Sequence, residues 1–375
     1  MKKNNRMIYN KGDKLRKVAI ISSLDYELFG DGTGDVQREQ IIPTAHISNI
    51  YDFYGAKLTI MFEYGQFLAY KRYADKNPRL GEDNQRIEDQ LIFLVKRGHD
   101  VQLHYHAQWH NAKYDLTNDT FKVDLNYVDI TSLEYKEIVT VLKEGKEFLE
   151  GLIRPYVSEY ECIGFRTGSW AVEDEKKLFK ALKESGFKAD SSVVPNVKFE
   201  SEQVNFEYTN CPHHFHYWYV EDTLSKKVTS SDFIEIPIYT KKHRFAFLKY
   251  LNPKYIFSRK IVSSFYTTKI SEKNFSLFQK IKKIVTRDYY MADFNTMTYQ
   301  TLIKMVEDVI EDSSFSEEDF VPIMFIAHSK TTYNVDDLHL MFTYLEEKYG
   351  RQIEYWGYQK AIEYLLAQNK QEMSK

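Results

Sequence analysis

The chain has 375 residues, which is enough to bury one large core or two ordinary ones. Its 51 basic and 54 acidic residues leave a net charge of −3, which excludes the strongly basic surface typical of nucleic-acid-binding proteins. Two cysteines, Cys162 and Cys211, are too few for a disulfide framework or a thiolate zinc site. As reduced thiols they favour a cytoplasmic protein.

The N-terminal part of the chain contains no segment that predicts export or membrane insertion. Residues 1–16 are polar and basic, and we expect them to form a flexible segment. The apolar run that follows, Val18 to Leu24, has only 7 residues and ends at Asp25. It is too short for a signal peptide or a membrane span, so neither is expected. The sequence does not indicate an oligomeric state.

Strand-like and helix-like segments alternate along most of the chain. The predicted strands are short apolar runs, and the predicted helices carry apolar residues at helical spacing. Predicted strands are Val18–Leu24, Lys57–Phe62, Val101–His106, Glu161–Phe165, Lys188–Ser191, Phe233–Tyr239, Pro322–Ala327 and Gln352–Tyr355. Predicted helices are Pro43–Phe53, Asn84–Arg97, Tyr135–Leu152, Glu173–Ser185, Tyr299–Glu311, Val335–Tyr349 and Tyr358–Asn369.

This alternation predicts an α/β fold with a parallel sheet covered by helices. A (β/α) barrel is the favoured architecture, and a flat doubly wound sheet is the alternative. The glycines of Gly30–Asp35 lack the spacing of a dinucleotide fingerprint and the lysine of a P-loop. We expect a single domain over residues 17–368, with a less regular elaboration at about 195–298.

Polar residues recur at the ends of the predicted strands, where a barrel of this kind carries its functional side chains. His104 and His106 are two residues apart on one strand, so both should face the same way and could hold a divalent metal such as zinc. Each polar residue also has an ordinary structural explanation, such as a helix cap or a surface ion pair. Their coincidence at successive strand ends favours metal-assisted hydrolysis instead. The recurring positions are Asp25, Glu27, Glu63, His104, His106, Arg166, Asp190 and His328.

The ordered motifs Ser-Leu-Asp-x-Glu, Gly-His-Asp-Val-x-Leu-His-x-His, Phe-Arg-x-Gly-x-Trp, Asp-Ser-Ser-x-x-Pro and His-Ser resemble those of the polysaccharide deacetylases. The resemblance extends from about Val18 to the 360s. It implies a distorted, partly open (β/α) barrel and a metal-dependent carbohydrate esterase. Such an enzyme would remove an N- or O-acetyl group from a sugar in a cell-surface polysaccharide or its precursor. The expected partner is therefore an acetylated sugar or glycan, not a nucleic acid.

The resemblance also implies roles for catalytic residues. Asp25 matches the catalytic base, and Arg166 matches the arginine that orients it. His328 matches the acid that protonates the leaving group, and Asp190 matches the carboxylate that tunes this acid.

The implied metal site departs from the family pattern. His104 matches the first metal histidine, but Tyr26 and Gln108 stand at two usual ligand positions. Glu27 and His106 are the expected substitutes, with His110 a poorer one, and zinc is the expected ion. The residues predicted to contact substrate are Trp109, Trp170 and Ser329, with core packing an equal alternative for the two tryptophans.

Two other functions stay open at this stage. The first is an amide hydrolase of the same fold with weak or no metal dependence, and the second is a catalytically silent glycan-binding protein. The histidines within Cys211–His216 could bind zinc, but they lie in the less regular region and are interpreted as an incidental loop.

Overall fold

The computed structural model describes residues 17–200, 205–212, 216–242, 289–312, 320–331 and 336–373. The predicted flexible segment 1–16 lies outside the described residues, as do 243–288 of the predicted elaboration and 213–215 of the histidine-containing loop. Elements are numbered below in chain order within the described part of the chain.

The predicted helices and strands occur in the structure in the same order, together with several short strands and one helix that the sequence did not predict. The strands are β1 Lys17–Tyr26, β2 Leu58–Glu63, β3 Asp100–Tyr105, β4 Lys113–Asp115, β5 Thr120–Lys122, β6 Gly164–Thr167, β7 Ala189–Asp190, β8 Lys198–Glu200, β9 Asn205–Glu207, β10 Trp218–Tyr219, β11 Ile234–Glu235, β12 Thr240–Lys242, β13 Tyr289–Met291, β14 Phe320–His328 and β15 Ile353–Tyr355. The α-helices are α1 Ile42–Phe53, α2 Tyr64–Tyr73, α3 Pro78–Lys96, α4 Tyr135–Ile153, α5 Glu175–Glu184, α6 Tyr299–Glu311, α7 Asp336–Tyr349 and α8 Tyr358–Met373. None of these helices is both long and apolar enough to cross a membrane.

One large sheet organises the molecule, in the order β10-β11-β7-β6-β3-β2-β1-β14, with β15 beside β1. Its pairs are parallel except for β10 with β11. One edge of β1 is shared by two strands: Val18–Ile20 pair with β15, and Ser22–Tyr26 pair with β2. The sheet is therefore distorted around β1.

The gap between the two ends of the sheet is crossed by isolated bridges instead of a continuous ladder. Ile238, just after β11, bridges to Met324 of β14, and Asp293 bridges to Ile326 on the same strand. The sheet is thus curled into an incompletely closed barrel. This confirms the predicted distorted, partly open (β/α) barrel and rejects the flat sheet.

The central strands are buried almost end to end. All residues of β2 and β3 are buried, and in β1 only Lys17 is exposed. Parallel strands are buried along their whole length when helices cover one face of the sheet and the other face lines the barrel interior. Polar side chains on such strands are therefore forced to find partners inside the protein.

Two helices differ from the sequence prediction. Helix α2 was not predicted, because it begins directly after β2 with no turn residues and its buried side chains are mostly aromatic. Helix α3 begins at Pro78, one turn and a half before Asn84, because the Asn77 side chain caps it and proline suits its first position. Its first turns are polar, so the apolar periodicity starts later than the helix.

Gly164 in β6 provides a test of the packing between the sheet and α8. A Cβ atom at this position would lie 2.5 Å from Cε1 of Tyr358, a fully buried ring, and 3.2 Å from Cδ1 of Ile362. We expect Gly164→Ala to lower the free energy of unfolding by about 1–3 kcal/mol, the usual cost of overpacking a core. Urea denaturation measures this difference.

Gly151 in α4 is the matched control, because it is exposed and a Cβ there meets nothing within 4 Å. Gly151→Ala should stabilise the protein by up to about 1 kcal/mol. Equal effects of the two substitutions would contradict this description of the interface between β6 and α8.

Candidate active site

Four buried side chains meet at the carboxyl ends of three neighbouring strands. Glu27 follows β1, Glu63 ends β2, and His104 and His106 lie at the end of β3. One potential ligand atom from each lies within 4.8 Å of the others. These four residues are called the ligand cluster below.

Short contacts connect the members of the ligand cluster. His104 Nε2 and His106 Nδ1 each lie 3.1 Å from Glu27 Oε2, and His106 Nδ1 also lies 2.7 Å from Glu63 Oε2. The two imidazoles are 4.7 Å apart between ring centroids. His106 has extended backbone angles, φ −96° and ψ 110°, so the alternation of β3 continues through it and both rings face the barrel interior.

Surrounding groups fix the two histidines. His104 Nδ1 lies 2.9 Å from the carbonyl oxygen of Arg166. A carbonyl can only accept, so Nδ1 carries the hydrogen and Nε2 is directed at the ligand cluster. Gly168 leaves room for the other ring, because a Cβ there would lie 2.3 Å from Cδ2 of His106.

Glu63 has a structural role as well as a place in the ligand cluster. Its Oε1 accepts from the backbone N–H groups of Gly65 (2.8 Å) and Gln66 (3.2 Å), and so caps α2. Its Oε2 accepts from the backbone N–H of His106 at 2.9 Å. The N-terminus of a helix supplies positive potential, and Glu63 therefore caps α2 and contacts His106 with the same carboxylate.

The donor set fits a divalent metal ion. Two imidazoles and two carboxylates suit zinc and similar transition metals. A tetrahedral ion with bonds of about 2.1 Å keeps its ligand atoms roughly 3.4 Å apart, and the measured separations of 2.7 and 3.1 Å lie close to that value. The Arg166 carbonyl supplies the outer hydrogen bond that metal-binding histidines usually make.

Tyr26 and Gln108, which stand at the two usual ligand positions, make contacts outside the ligand cluster. Tyr26 is fully buried, and its hydroxyl donates to Gln90 Oε1 at 2.8 Å. Gln108 Nε2 lies 3.5 Å from the carbonyl oxygen of Gly30. His110 contacts the Tyr105 hydroxyl on the outer face of β3, so His106 is the second histidine of the ligand cluster.

A buried ion pair holds Asp25 next to the ligand cluster. Arg166 Nη1 donates to Asp25 Oδ1 at 2.6 Å, and both side chains are almost completely buried. Ser191 fixes the guanidinium, since its carbonyl accepts from Nε (3.0 Å) and its hydroxyl from Nη2 (3.1 Å). Burial alone would raise the pKa of Asp25, but the charges of Arg166, His104 and His328 outweigh it and hold the pKa below the ordinary value.

His328 faces Asp25 from the neighbouring strand, where the two residues are in register. Its Nε2 lies 3.8 Å from Asp25 Oδ2 and 3.9 Å from Glu27 Oε1. Burial lowers the pKa of His328, an effect that the charges of Asp25, Glu27 and Asp293 only partly offset. Asp25 and His328 are thus a carboxylate that stays ionised and an imidazole that releases its proton readily.

Asp190, which matches the carboxylate that tunes the acid histidine, has its hydrogen bonds with other groups in the structure. Asp190 accepts from the N–H and hydroxyl of Ser192, both at 2.8 Å, and pairs with Glu235 on β11. The carboxylates whose charges raise the pKa of His328 include Asp25, Glu27 and Asp293.

The predicted substrate contacts lie in different surroundings. Trp170 is partly exposed, and its ring centroid lies 6.0 Å from that of His328. Trp109 is buried, and its ring packs against Phe121 with the centroids 5.4 Å apart. The Ser329 hydroxyl is occupied by the backbone N–H and carbonyl of Glu27, each at 3.3 Å.

Sequence reasoning did not assign a role to Glu63, Lys330 or Asp293. Glu63 was visible as a polar strand end, and Lys330 directly follows the His-Ser motif. Lys330 Nζ contacts Glu27 Oε1 and lies 3.2 Å from the carbonyl oxygen of Leu28. Asp293 has no comparable signal, because it follows the region without regular periodicity.

No family model and no curated protein matches the chain. Among solved structures, a Mycobacterium smegmatis protein assigned as a polysaccharide deacetylase is similar over 94% of this chain and 92% of that chain, with 12% identity and a TM-score of 0.48. A 4-alpha-glucanotransferase from Thermococcus litoralis is similar over 92% of this chain and 40% of that chain, with 14% identity and a TM-score of 0.46.

A family 4 carbohydrate esterase from Streptomyces lividans, solved in complex with acetate, covers 46% of this chain and 61% of its own, with 14% identity and a TM-score of 0.25.

The carboxyl pair Asp190–Glu235 predicts a pH dependence of stability. Burial raises the pKa of Asp190 to about 6, and burial together with the charge of Asp190 raises the pKa of Glu235 well above its ordinary value. Above the unfolded pKa values, the folded pair therefore holds more protons than the unfolded chain. The free energy of unfolding therefore falls as the pH rises from the unfolded to the folded pKa values of the pair. The loss is about 1.4 kcal/mol for each unit by which the folded pKa exceeds the unfolded pKa.

We expect Glu235→Gln, which leaves one carboxyl group in place of the pair, to remove part of this loss. The difference in unfolding free energy between the variant and the wild type should shift in favour of the variant from about pH 5 to about pH 8. Urea denaturation at several pH values measures it. A difference that stays constant would show that the two carboxyl groups do not share a proton.

Proposed function

We propose that the protein is a hydrolase that removes an N- or O-acetyl group from a sugar in a cell-surface polysaccharide or its precursor. The observation that carries this proposal is the convergence of the Asp25–Arg166 ion pair and His328 on the ligand cluster. A fixed base, a fixed acid and a metal-binding donor set within one buried site are the parts that acyl hydrolysis needs.

Asp25 is the base in this proposal. Its Oδ2 is the oxygen that Arg166 does not hold, and it faces His328. As a water oxygen bonds to the acetyl carbonyl carbon, Asp25 takes the water's proton. Arg166 keeps Asp25 oriented throughout, and keeps it ionised until it accepts this proton.

His328 is the acid. When the bond from the acetyl carbon to the sugar nitrogen or oxygen breaks, the leaving atom takes a proton from His328. Burial lowers the pKa of His328, and the negative charge of Asp293 raises it. Asn295 Nδ2 donates to the backbone carbonyl of His328 at 2.6 Å and so fixes its position.

Glu27, Glu63, His104 and His106 would hold a divalent ion, with zinc favoured by the donor set. A bound ion would polarise the acetyl carbonyl and lower the pKa of a water molecule. Of the two carboxylate oxygens of Glu27, Oε2 lies against both histidines and would bind the ion first, whereas Oε1 contacts Lys330 in the metal-free protein.

The sugar class rests on the motif resemblance and on Trp170, whose partly exposed ring beside His328 offers a face for a sugar ring. The buried thiols Cys162 and Cys211, which form no disulfide, agree with a cytoplasmic site of action. A lipid-linked or nucleotide-linked precursor is accordingly the proposed form of the substrate.

One observation favours a second candidate, an amide hydrolase with weak or no metal dependence. The Lys330 ammonium already compensates the charge of Glu27. Acetate release that is unaffected by a chelator would favour this second candidate.

Asp25→Asn tests the hydrolase. It keeps the shape of the side chain but removes the base, so acetate release from N- and O-acetylated sugars should fall by roughly 10²–10⁴-fold. Acetate is measured with zinc supplied. Asp115→Asn, at an exposed turn, is the matched control and should retain full activity.

A glycan-binding protein without catalytic activity would behave differently. It would bind acetylated sugars and release no acetate that depends on Asp25, and this result would reject the hydrolase.

His104→Ala tests the metal site independently of turnover. We expect the wild type to bind one zinc ion and the variant to lose at least about tenfold in affinity, because one of four ligands is removed. Competition with a chromophoric chelator measures both. His110→Ala is the control, since His110 lies outside the ligand cluster and should not change the affinity. Equal affinities of the wild type and His104→Ala would reject the metal site.

A further inference from the structure

A lysine is built into the ligand cluster. Lys330 lies in the short turn after β14, and its side chain is only 9% exposed. Its Nζ contacts Glu27 Oε1 and donates to the carbonyl of Leu28 at 3.2 Å. A buried ammonium group is costly unless it is paired, so this position implies a specific role.

Charge balance indicates that role. The site holds three buried carboxylates, and each has a separate source of positive potential. Arg166 pairs with Asp25, the N-terminus of α2 faces Glu63, and Lys330 pairs with Glu27. The carboxylates of the ligand cluster are therefore compensated before any ion arrives.

We propose that Lys330 is a built-in counter-cation of the metal site, which holds Glu27 in the metal-free protein and weakens the binding of a divalent ion. This inference rests on the metal site of the proposed function. Lys330 competes for Glu27, because one carboxylate cannot give its full negative charge to two cations. It also repels a second positive charge placed one ligand away. Lys330 thus lowers the affinity of the ligand cluster for a metal ion and stabilises the folded protein when no metal is bound.

The direct test replaces Lys330 with neutral side chains. The glutamine of Lys330→Gln can still donate a hydrogen bond to Glu27 but carries no charge. The methionine of Lys330→Met carries no charge and cannot donate a hydrogen bond. Both should bind zinc at least about tenfold more tightly than the wild type in competition with a chromophoric chelator. Lys188→Met is the matched control, because Lys188 pairs with Glu161 at a half-exposed site, and its affinity should equal that of the wild type. Unchanged or weaker binding by both Lys330 variants would overturn the proposal.

Replacement of Lys330 leaves the buried carboxylate of Glu27 without its cation, and this can prevent the variants from folding. A second measurement therefore uses the wild type. We expect zinc to displace Lys330 from Glu27, so that an amine-reactive reagent labels Lys330 at least about threefold faster with zinc, as followed by mass spectrometry of the Lys330 peptide. An unchanged labelling rate would overturn the proposal even if no variant folds.

These measurements separate the inference from the proposed reaction. Tighter zinc binding by the Lys330 variants, with no acetate released by any form, would support the role of Lys330 and reject the deacetylase. Acetate release by the wild type, with no change of zinc affinity in the Lys330 variants, would support the deacetylase and reject the role of Lys330.

Discussion

The need to compensate buried charge is the constraint on which the rest of this site depends. Asp25, Glu27 and Glu63 are each no more than 2% exposed, and an unpaired carboxylate in such surroundings would be protonated or would destabilise the fold. Each carboxylate is instead held by a different structural device: a guanidinium, an ammonium and a helix N-terminus. The Arg166–Asp25 pair is the most important, because Arg166 is itself fixed by Ser191 and its carbonyl fixes His104.

The sheet makes these pairings possible. Parallel strands place their carboxyl ends at one rim, and the registers of Asp25 with His328 and of Glu63 with His104 bring four functional side chains into two adjacent rows. The division of one edge of β1 between β15 and β2 leaves its carboxyl-terminal half next to β2. Distortion of the barrel and assembly of the ligand cluster are therefore two results of the same strand arrangement.

Strand periodicity was sufficient to predict much of this arrangement. His104 and His106 share a face of β3 because i and i+2 residues of a strand point the same way, and that rule needs no knowledge of distant contacts. Glu63 was less accessible, since its membership depends on α2 beginning without a linker. Lys330 and Asp293 depend on contacts between segments far apart in sequence, and no local pattern encodes such contacts.

The surroundings of Asp190 depend on a segment that its own motif does not include. Asp190 keeps its motif, but Glu235 on β11 turns it into half of a buried carboxyl pair, and that pair faces Ser192 and Val193 rather than His328. Two carboxyl groups in contact cannot both be ionised at low cost, so Asp190 is poorly suited to tune an acid by its negative charge. Asp293, which bridges to β14 two residues before His328, is placed to act on the imidazole instead. The negative charges that raise the pKa of His328 thus come from Asp25, Glu27 and Asp293, which lie on two segments far apart in sequence.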